Sequence, residues 1–471
     1  MNKGGAFSQM LEMITSVNSA VNSFAWGPVM LVLLVGTGIF LSVRTRFIQV
    51  RKFGYILKNT IGSLFRRKNQ HGTSNLTPFQ AVTTALAGTV GTGNIAGVTG
   101  AIFVGGPGAV FWMWVSAFFG MCTKYAEIAL ALKYRTVDEN GVYRGGPMYC
   151  IEKGLGRKWK PLAVVFAVLA GIASFGIGNI AQSSEIAGAM TSLAGMNPLV
   201  TGILLAIIVA LIILGGIRRI GQVTELMVPF MAGFYILAGL AVIVLRISDI
   251  PAALLSIVTS AFSLKSVGGG LFGYVMMQAM RQGFARGVFS NEAGLGSAPM
   301  AHASASTEEP CEQAMWGVFE VFIDTIIICT FTALAVLLSG VLDTAGGLNA
   351  FASKGAAAAA AFNAILPGNL GGIVIQISLL FFALSTIIGW SFYGERCWAY
   401  LSGGSKLVDR IYKVLYVLMC IVGAVGSGTL MWDIADTLNG LMAIPNLVAL
   451  LALSGVVAAE TRRYFDKPDL R

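Results

Sequence analysis

The sequence AGTVGTGNIAG at residues 87–97 places four glycines and three polar residues in the middle of an apolar segment that spans 76–103. A glycine in a helix interior destabilises the helix by about 1 kcal/mol relative to alanine. In hydrocarbon, each backbone group without a hydrogen-bond partner costs several kcal/mol more. A membrane-spanning helix with this sequence therefore needs something else to bind its freed backbone groups.

Three interpretations compete for this stretch. A dinucleotide-binding loop requires G-x-G-x-x-G after a strand, and both the spacing and the apolar helical context are wrong for it. Gly93 and Gly97 form a G-x-x-x-G pair, which is typical of close helix packing in membranes. An unwound segment that binds a solute also accounts for Thr92 and Asn94, because freed amides suit a carboxylate and freed carbonyls suit a cation. The last interpretation is favoured.

The amino-acid composition of the whole chain is typical of a membrane protein. The chain has 471 residues, of which 56% are hydrophobic and 11% charged, whereas soluble domains carry about 25% charged residues. Apolar runs recur at lengths near the ~18 residues that cross a bilayer. We predict an all-α polytopic membrane protein with about eleven transmembrane helices, near 28–43, 76–103, 109–132, 161–190, 198–214, 222–245, 270–300, 316–342, 369–394, 407–426 and 430–457.

The basic residues behind the net charge of +10 are distributed unevenly between the two sides of the predicted membrane. If the loop at 44–75 is cytoplasmic, 25 of the 32 Lys and Arg residues lie on the cytoplasmic side. That asymmetry is the positive-inside pattern, and it also suits contact with anionic lipid. It predicts an outer N-terminus, a cytoplasmic C-terminus and residence in the cell membrane, with no nucleic-acid partner. Apolar residues at helical spacing between Phe7 and Phe24 predict an interfacial helix before the first span.

The ten spans after the first divide into two groups of five. The first span of the second group, quoted from 269, reads GGLFGYVMMQAMRQGFARGVFSNEAGLGSAPM and is also interrupted by glycines and polar residues. Interrupted spans at matching positions of two halves indicate a transporter site, and five spans per half make the repeat inverted. We predict an extra N-terminal helix and basic loop in 1–75, repeats at 76–245 and 246–460, and a cytoplasmic tail at 461–471.

Several segments together resemble the alanine or glycine:cation symporter family: GTVGTGNIAGV, GGPGAVFWMW, TKYAEIALALKYR, RGGPMY and RGVFSNEAGLGSAPMAHA. The resemblance extends from about residue 77 to the last span. It implies the leucine-transporter-like inverted-repeat fold and sodium-coupled uptake of small neutral amino acids, mainly alanine and glycine. The co-transported sodium ion is the only cofactor that it implies.

The resemblance also implies a site. Thr92, Gly93 and Asn94 in the first broken helix would receive the substrate carboxylate. The sodium site would use the carbonyls of the first broken helix and hydroxyls of a later span, and its expected residues are Ala87, Val90, Phe382, Ser385 and Thr386. Oxygen ligands suit a hard monovalent cation. Without the resemblance, hydroxyls that bond back to their own helix are an equal explanation for Ser385 and Thr386.

Four more residues complete the predicted substrate site. Trp390 lies one helical turn after Thr386 and would form a bulky wall that favours small side chains, although a tryptophan near a helix end is often an interfacial anchor. Gln182 would contact the substrate ammonium, and a bond to a neighbouring helix is nearly as plausible. Gly287 and Phe289 would flank the second unwound turn.

Charged residues inside predicted spans are usually functional. We predict that Arg281 or Arg286 clamps the second break through Glu292, and that Lys124 pairs with Glu127. Glu320 and Asp324 either relay protons or bond across helices. His71 and His302 are expected to be solvated, and the six cysteines to be apolar fillers rather than disulfides.

No hydrolase, zinc-protease or P-loop motif is present in the sequence, so a membrane enzyme and an ATP-driven pump lack support. A channel would more often build a symmetric pore from several subunits. We therefore predict a monomeric sodium-coupled symporter that works by alternating access, with a proton-coupled symporter as the alternative. The preference among alanine, glycine and serine, the tolerance of D-isomers and the ion stoichiometry are left open.

Overall fold

The computed structural model describes residues 3–64, 75–139, 141–262, 272–344, 347–351, 353–426 and 429–467. These residues are mostly helical. A two-stranded antiparallel sheet pairs β1, Thr136–Val137, with β2, Tyr143–Arg144. His71 lies outside the described residues. All six cysteines are buried, and each is a free thiol.

The α-helices follow one another closely along the chain. They are α1 Lys3–Ala25, α2 Pro28–Arg44, α3 Ile48–Arg51, α4 Phe53–Leu64, α5 Pro78–Thr89, α6 Val98–Gly105, α7 Gly108–Lys133, α8 Pro147–Tyr149, α9 Lys160–Phe175, α10 Ala181–Ala194, α11 Pro198–Ile213, α12 Gly216–Leu245, α13 Ile250–Ala261, α14 Phe272–Asn291, α15 Pro299–His302, α16 Pro310–Val321, α17 Thr330–Leu338, α18 Val341–Thr344, α19 Lys354–Asn363, α20 Leu370–Leu401, α21 Lys406–Val425, α22 Thr429–Ala452 and α23 Ser454–Phe465. Wider π-type turns occur at Gly93–Gly97, Cys150–Leu155, Gly176–Ile180 and Phe322–Cys329, and 3₁₀ turns at Arg157–Trp159, Ile247–Asp249 and Leu348–Ala350.

Many of these helices suit a bilayer. Within the described residues, seven helices are long and apolar enough to span a membrane, and the number is eight if the bent pair Pro78–Thr89 and Gly93–Gly105 is one span. Pro198–Ile213 and Ile247–Ala261 are shorter apolar helices. The prediction of an all-α polytopic membrane protein is therefore confirmed. The count of eleven spans and the inverted arrangement of the two halves stay predictions.

The first break lies where the glycines predict it. Thr77 and Gln80 cap the start of α5 reciprocally, and the helix ends when Val90 adopts an extended conformation (φ −78°, ψ 97°). A continuous helix would direct the Gly91 amide at the Ala87 carbonyl, but this amide donates to Asn94 Oδ1 at 2.8 Å. The chain then resumes as a π-type turn, and the two halves are bent by 47°.

The second break lies later than predicted. Helix α14 continues to Asn291, and the chain turns at Glu292 (φ +55°), Gly294 (φ +94°) and Gly296 (φ +83°) before α15 begins. The prediction that Gly287 and Phe289 flank this turn is wrong, because both lie inside α14. Gly287 instead allows close packing, since a Cβ there would lie 3.0 Å from the Ser116 side chain of α7.

Two further segments position the site. Helix α1 packs against α22. Trp26, which follows the last residue of α1, donates through Nε1 to the Asp436 carbonyl of α22 at 3.0 Å. Its predicted interfacial position stays a prediction. The alanine-rich helix α19 begins at the capping residue Ser353 and packs against α20 and the π-type turn of the first break.

Candidate functional site

The two breaks meet at a small cavity beside α20. The cavity offers about 20 Å³ of free space to a water-sized molecule and is lined by Gly88, Thr89, Gly91, Thr92, Gly93, Ile177, Gln182, Phe289, Glu292, Thr386, Trp390 and Asn439. Small-molecule sites usually measure about 300–1,000 Å³, so this cavity is far smaller in the described structure, and its walls must move apart to admit a ligand. Its lining comes from both broken helices, from the α9–α10 region, from α20 and from α22.

Five of the predicted substrate residues line this cavity: Thr92, Gly93, Gln182, Phe289 and Trp390. They are already connected, since the Thr92 hydroxyl donates to Gln182 Oε1 at 3.0 Å and Gln182 Nε2 donates to the Ile177 carbonyl at 3.1 Å. Both bonds are neutral. The substrate roles of these five residues stay predictions.

Asn94 and Gly287 are not part of the cavity lining. Asn94 is fully buried, and its side chain accepts from the Gly91 amide while Nδ2 donates to Asp324 Oδ1 at 2.6 Å. A side chain with both ends engaged in this way holds the shape of the break. Contact between the substrate and the Asn94 side chain, as predicted, does not fit this geometry.

Phe289 closes the cavity on one side. A Cβ on Gly93 would lie 3.1 Å from the Phe289 ring, and the Arg286 guanidinium lies over that ring, 5.1 Å from its centroid. Arg286 also pairs with Asp436 of α22 at 3.6 Å. The predicted clamp between an arginine and Glu292 is therefore wrong, and Arg286 is directed at α22.

The predicted sodium residues lie where the end of α5 meets α20. The Ser385 hydroxyl lies 3.4 Å from the Val90 carbonyl and donates to the Phe382 carbonyl at 2.8 Å. The Thr386 hydroxyl donates to the same carbonyl at 2.9 Å. Both hydroxyls thus bond within their own helix, as the alternative interpretation expects, and each oxygen keeps a lone pair for another partner.

Ala87 and Gly91 bring the backbone of the first break to the same place. The Ala87 carbonyl has lost its usual helical donor, because the Gly91 amide bonds to Asn94. A Cβ on Gly91 would lie 2.4 Å from Thr386 Oγ1. Carbonyl and hydroxyl oxygens are the ligands that a hard cation prefers, so these residues fit a sodium ion as the transported cargo.

Glu292 and Trp390 form one wall of the cavity together. The Trp390 indole donates to Glu292 Oε1 at 3.0 Å, and the Ser297 hydroxyl donates to Oε2 at 2.6 Å. Glu292 is 3% exposed. A carboxylate in the cavity wall was not expected from the sequence.

A network of buried charged side chains lies beside Thr89, at the end of α5. Glu320 accepts from the Thr89 hydroxyl at 2.7 Å and pairs with the Lys124 ammonium at 3.4 Å. Its other oxygen lies 3.0 Å from His302 Nε2. All three charged or ionisable side chains are fully buried. The expectations that Lys124 pairs with Glu127 and that His302 is solvated are both wrong.

Glu127 holds the second break instead. Its Oε1 accepts from the amides of Gly294 and Gly296, each at 3.1 Å, and from Asn446 Nδ2 of α22. Backbone amides that converge in a turn form a binding site for an anion. Glu127 therefore fills the structural role that was predicted for an arginine.

Asp324 connects the two breaks. It accepts from Asn94 Nδ2, from the Ser290 hydroxyl of α14 at 2.8 Å and from the Thr325 hydroxyl at 2.7 Å. This arrangement is the cross-helix bonding that was one of the two predictions for Asp324. Proton relay by Glu320 or Asp324 stays a prediction.

Two broken helices that meet around a small polar cavity, within a bundle of apolar helices, are the architecture of a secondary transporter. The comparisons with known proteins identify which kind. Residues 11–470 match the sodium:alanine symporter family, and the chain belongs to this family. It is a multi-pass membrane transporter and not an enzyme.

Relatives and solved structures agree with this placement. The sodium/alanine symporter AgcS of Methanococcus maripaludis is 50% identical over 458 residues, which cover 96% of this chain and 98% of AgcS. The probable sodium/glutamine symporter GlnT of Bacillus subtilis is 38% identical, covering 97% and 91% of the two chains. MhsT, solved with L-phenylalanine, has a TM-score of 0.57 at 14% identity and covers 84% of this chain and 99% of its own. It therefore shows the fold alone.

Proposed function

We propose that this protein carries small neutral amino acids, chiefly alanine and glycine, into the cell together with sodium. The observation that carries the proposal is the narrow cavity between the two breaks, directly beside a group of carbonyl and hydroxyl oxygens. The bulky walls formed by Trp390 and Phe289 limit the space for a substrate side chain. The similarity to AgcS supports alanine, whereas the similarity to GlnT shows that substrates vary among relatives.

The substrate carboxylate would bind at the backbone of Thr92 and Gly93, at the start of the second half of the first broken helix, where freed amides carry partial positive charge. Sodium would be bound by the carbonyls of Ala87 and Val90 and the hydroxyls of Ser385 and Thr386, with Phe382 beside them. Because both ligands use the same break, sodium binding would order the backbone for the substrate, which is positive coupling.

Transport would proceed by alternating access of this one site. A bundle that contains the two broken helices, one from each of the repeats at 76–245 and 246–460, would rock against the remaining helices, with the N-terminus outside and the C-terminus in the cytoplasm. In the described structure, Phe289 of the cavity lining contacts Arg286, which pairs with Asp436, and Thr89 of the lining donates to Glu320 of the Lys124–Glu320–His302 network. We propose that a monomer is sufficient.

The test is uptake of labelled alanine into proteoliposomes with an inward sodium gradient, an inward proton gradient or neither. We expect the sodium gradient alone to drive accumulation, and Thr386→Ala to reduce it roughly tenfold or more through loss of a cation ligand. Ser378→Ala is the matched control, because that hydroxyl lies on the same helix and bonds to the Val374 carbonyl. Failure of any gradient to drive uptake by folded protein would contradict the proposal.

Proton coupling is the second candidate, and the fully buried contact between His302 and Glu320 favours it. Histidine is the side chain whose charge changes most readily near neutral pH. Accumulation driven by the proton gradient alone, and unaffected by Thr386→Ala, would support this candidate over sodium coupling.

A further inference from the structure

Glu292 is the acidic side chain that the second break presents to the cavity. It follows the last residue of α14 and has a φ of +55°, a backbone conformation that few non-glycine residues adopt and that is enriched at binding sites. The residue lines the cavity and is 3% exposed. The turn therefore places a carboxylate, rather than a backbone group alone, beside the substrate.

The bonds to Glu292 indicate that it acts as an acceptor. Trp390 Nε1 donates to one carboxylate oxygen at 3.0 Å and the Ser297 hydroxyl to the other at 2.6 Å. A carboxylate has about four acceptor positions, so positions remain for a further donor. A ligand with positive charge is favoured at such a site, and one with negative charge is repelled.

Asn439 of α22 provides a second, independent observation. It lines the same cavity, is 1% exposed, and its Oδ1 has no hydrogen-bond partner. Buried polar atoms in folded proteins nearly always have a partner, and an unsatisfied one indicates a missing ligand or water. The missing partner of Asn439 Oδ1 must be a donor.

We propose that Glu292 and Asn439 form the subsite that binds the substrate's ammonium group. This inference rests on the proposed amino-acid transport. It names the residues that recognise the positive charge of the substrate, which the proposed function leaves unassigned. Gln182 is uncharged, and its Oε1 and Nε2 are already bonded to Thr92 and to the Ile177 carbonyl. Glu292 supplies the charge, and Asn439 accepts a second ammonium proton.

The subsite fixes the orientation of a zwitterion. The substrate carboxylate is directed to the amides of the first break, and the ammonium is directed to Glu292 at the second break. A molecule of the same size without an amino group, such as propionate, lacks the donor and places no positive charge beside Glu292. The transporter consequently distinguishes alanine from propionate by charge, in addition to shape.

The experiment is equilibrium binding of labelled alanine to the purified full chain in saturating sodium, with propionate as competitor. We expect Glu292→Gln, which preserves size and one acceptor oxygen but removes the charge, to weaken alanine binding roughly tenfold or more, because truncating a buried charged contact is costly. Propionate should remain a poor competitor in both proteins. Glu225→Gln is the matched control, because that acid lies outside the cavity lining and accepts from Gln80 in the first turn of α5.

A sodium-induced change in tryptophan fluorescence, measured without alanine, reports that each variant is folded and binds its ion. Asn439→Ala should also weaken alanine binding, whereas Asn439→Asp should retain it, because aspartate keeps the acceptor and adds charge. If Glu292→Gln does not fold, the comparison of Asn439→Ala with Asn439→Asp tests the proposed ammonium subsite.

Alanine affinities of Glu292→Gln and Asn439→Ala within threefold of the unmodified protein, with the sodium response intact, would overturn the ammonium subsite. If the unmodified protein itself bound no alanine in sodium, the proposed function would fail instead. The two failures are thus distinguishable.

Discussion

Replacing Glu320 with glutamine is expected to abolish alanine uptake and to destabilise the folded protein more than any other change proposed. Glu320 accepts from Thr89, pairs with Lys124 and contacts His302, and each of these groups is buried. Removal of the carboxylate charge leaves the Lys124 ammonium buried without its partner. Breaking a buried pair in this way costs about 3–5 kcal/mol. The measurement is the thermal unfolding midpoint in detergent, together with proteoliposome uptake.

Glu460→Gln is the matched control for this prediction. Glu460 pairs with Lys133, which is 37% exposed at the protein surface, and surface pairs contribute about 0–1 kcal/mol. We expect Lys124→Met to recover part of the stability of Glu320→Gln, because it removes the unpaired ammonium. Equal unfolding midpoints for Glu320→Gln and Glu460→Gln would show that the buried network does not stabilise the fold.

Replacing Gly91 with alanine is expected to weaken the sodium dependence of uptake strongly. The added Cβ would lie 2.4 Å from Thr386 Oγ1, a separation that requires either the Thr386 hydroxyl to rotate away or the first break and α20 to move apart. Sodium is proposed to bind at this junction, so its ligands would no longer converge. The measurement is the sodium concentration that gives half-maximal alanine uptake, and we expect it to rise roughly tenfold or more, since a site misplaced by about 1 Å loses much of its function.

Gly97→Ala is the control for Gly91→Ala. A Cβ on Gly97 would have the Arg286 side chain as its nearest neighbour, at 4.0 Å, so the substitution fits the space available. We expect near-normal uptake. The control also tests the alternative that Gly93 and Gly97 are a packing motif. Loss of uptake in Gly97→Ala, with Gly91→Ala unaffected, would favour that alternative and contradict a sodium site at Gly91.

The sequence predicted the first break well because its signals are local. Gly91, Gly93 and Asn94 lie within one turn of one another, and the structure shows that Asn94 bonds directly to the Gly91 amide. The five predicted residues that line the cavity follow from this break and from the family resemblance.

The register of the second break could not be predicted in the same way. Glycine serves both to unwind a helix and to permit close helix packing, and the sequence around α14 contains glycines of both kinds. Gly287 packs against α7, whereas Gly294 and Gly296 adopt positive φ values in the turn itself. The two kinds of glycine differ in their packing partners and backbone angles, and neither can be read from the sequence.

The buried charges were also beyond sequence reasoning. Helical periodicity identifies neighbours on one helix, which is why Lys124 was assigned to Glu127. Its actual partner, Glu320, lies 196 residues away along the chain. His302 is followed by polar residues and was expected in solvent, yet it is fully buried against Glu320. Asn439 carries no local signal, because its importance depends on the cavity that it lines.

The most direct test of the central claim is the affinity of the unmodified protein for alanine with and without sodium, measured at equilibrium. Two ligands that order the same break must each strengthen the binding of the other by the same factor. We therefore expect sodium to tighten alanine binding and alanine to tighten sodium binding equally. An alanine affinity that is identical with and without sodium would contradict the shared site and, with it, sodium-coupled symport.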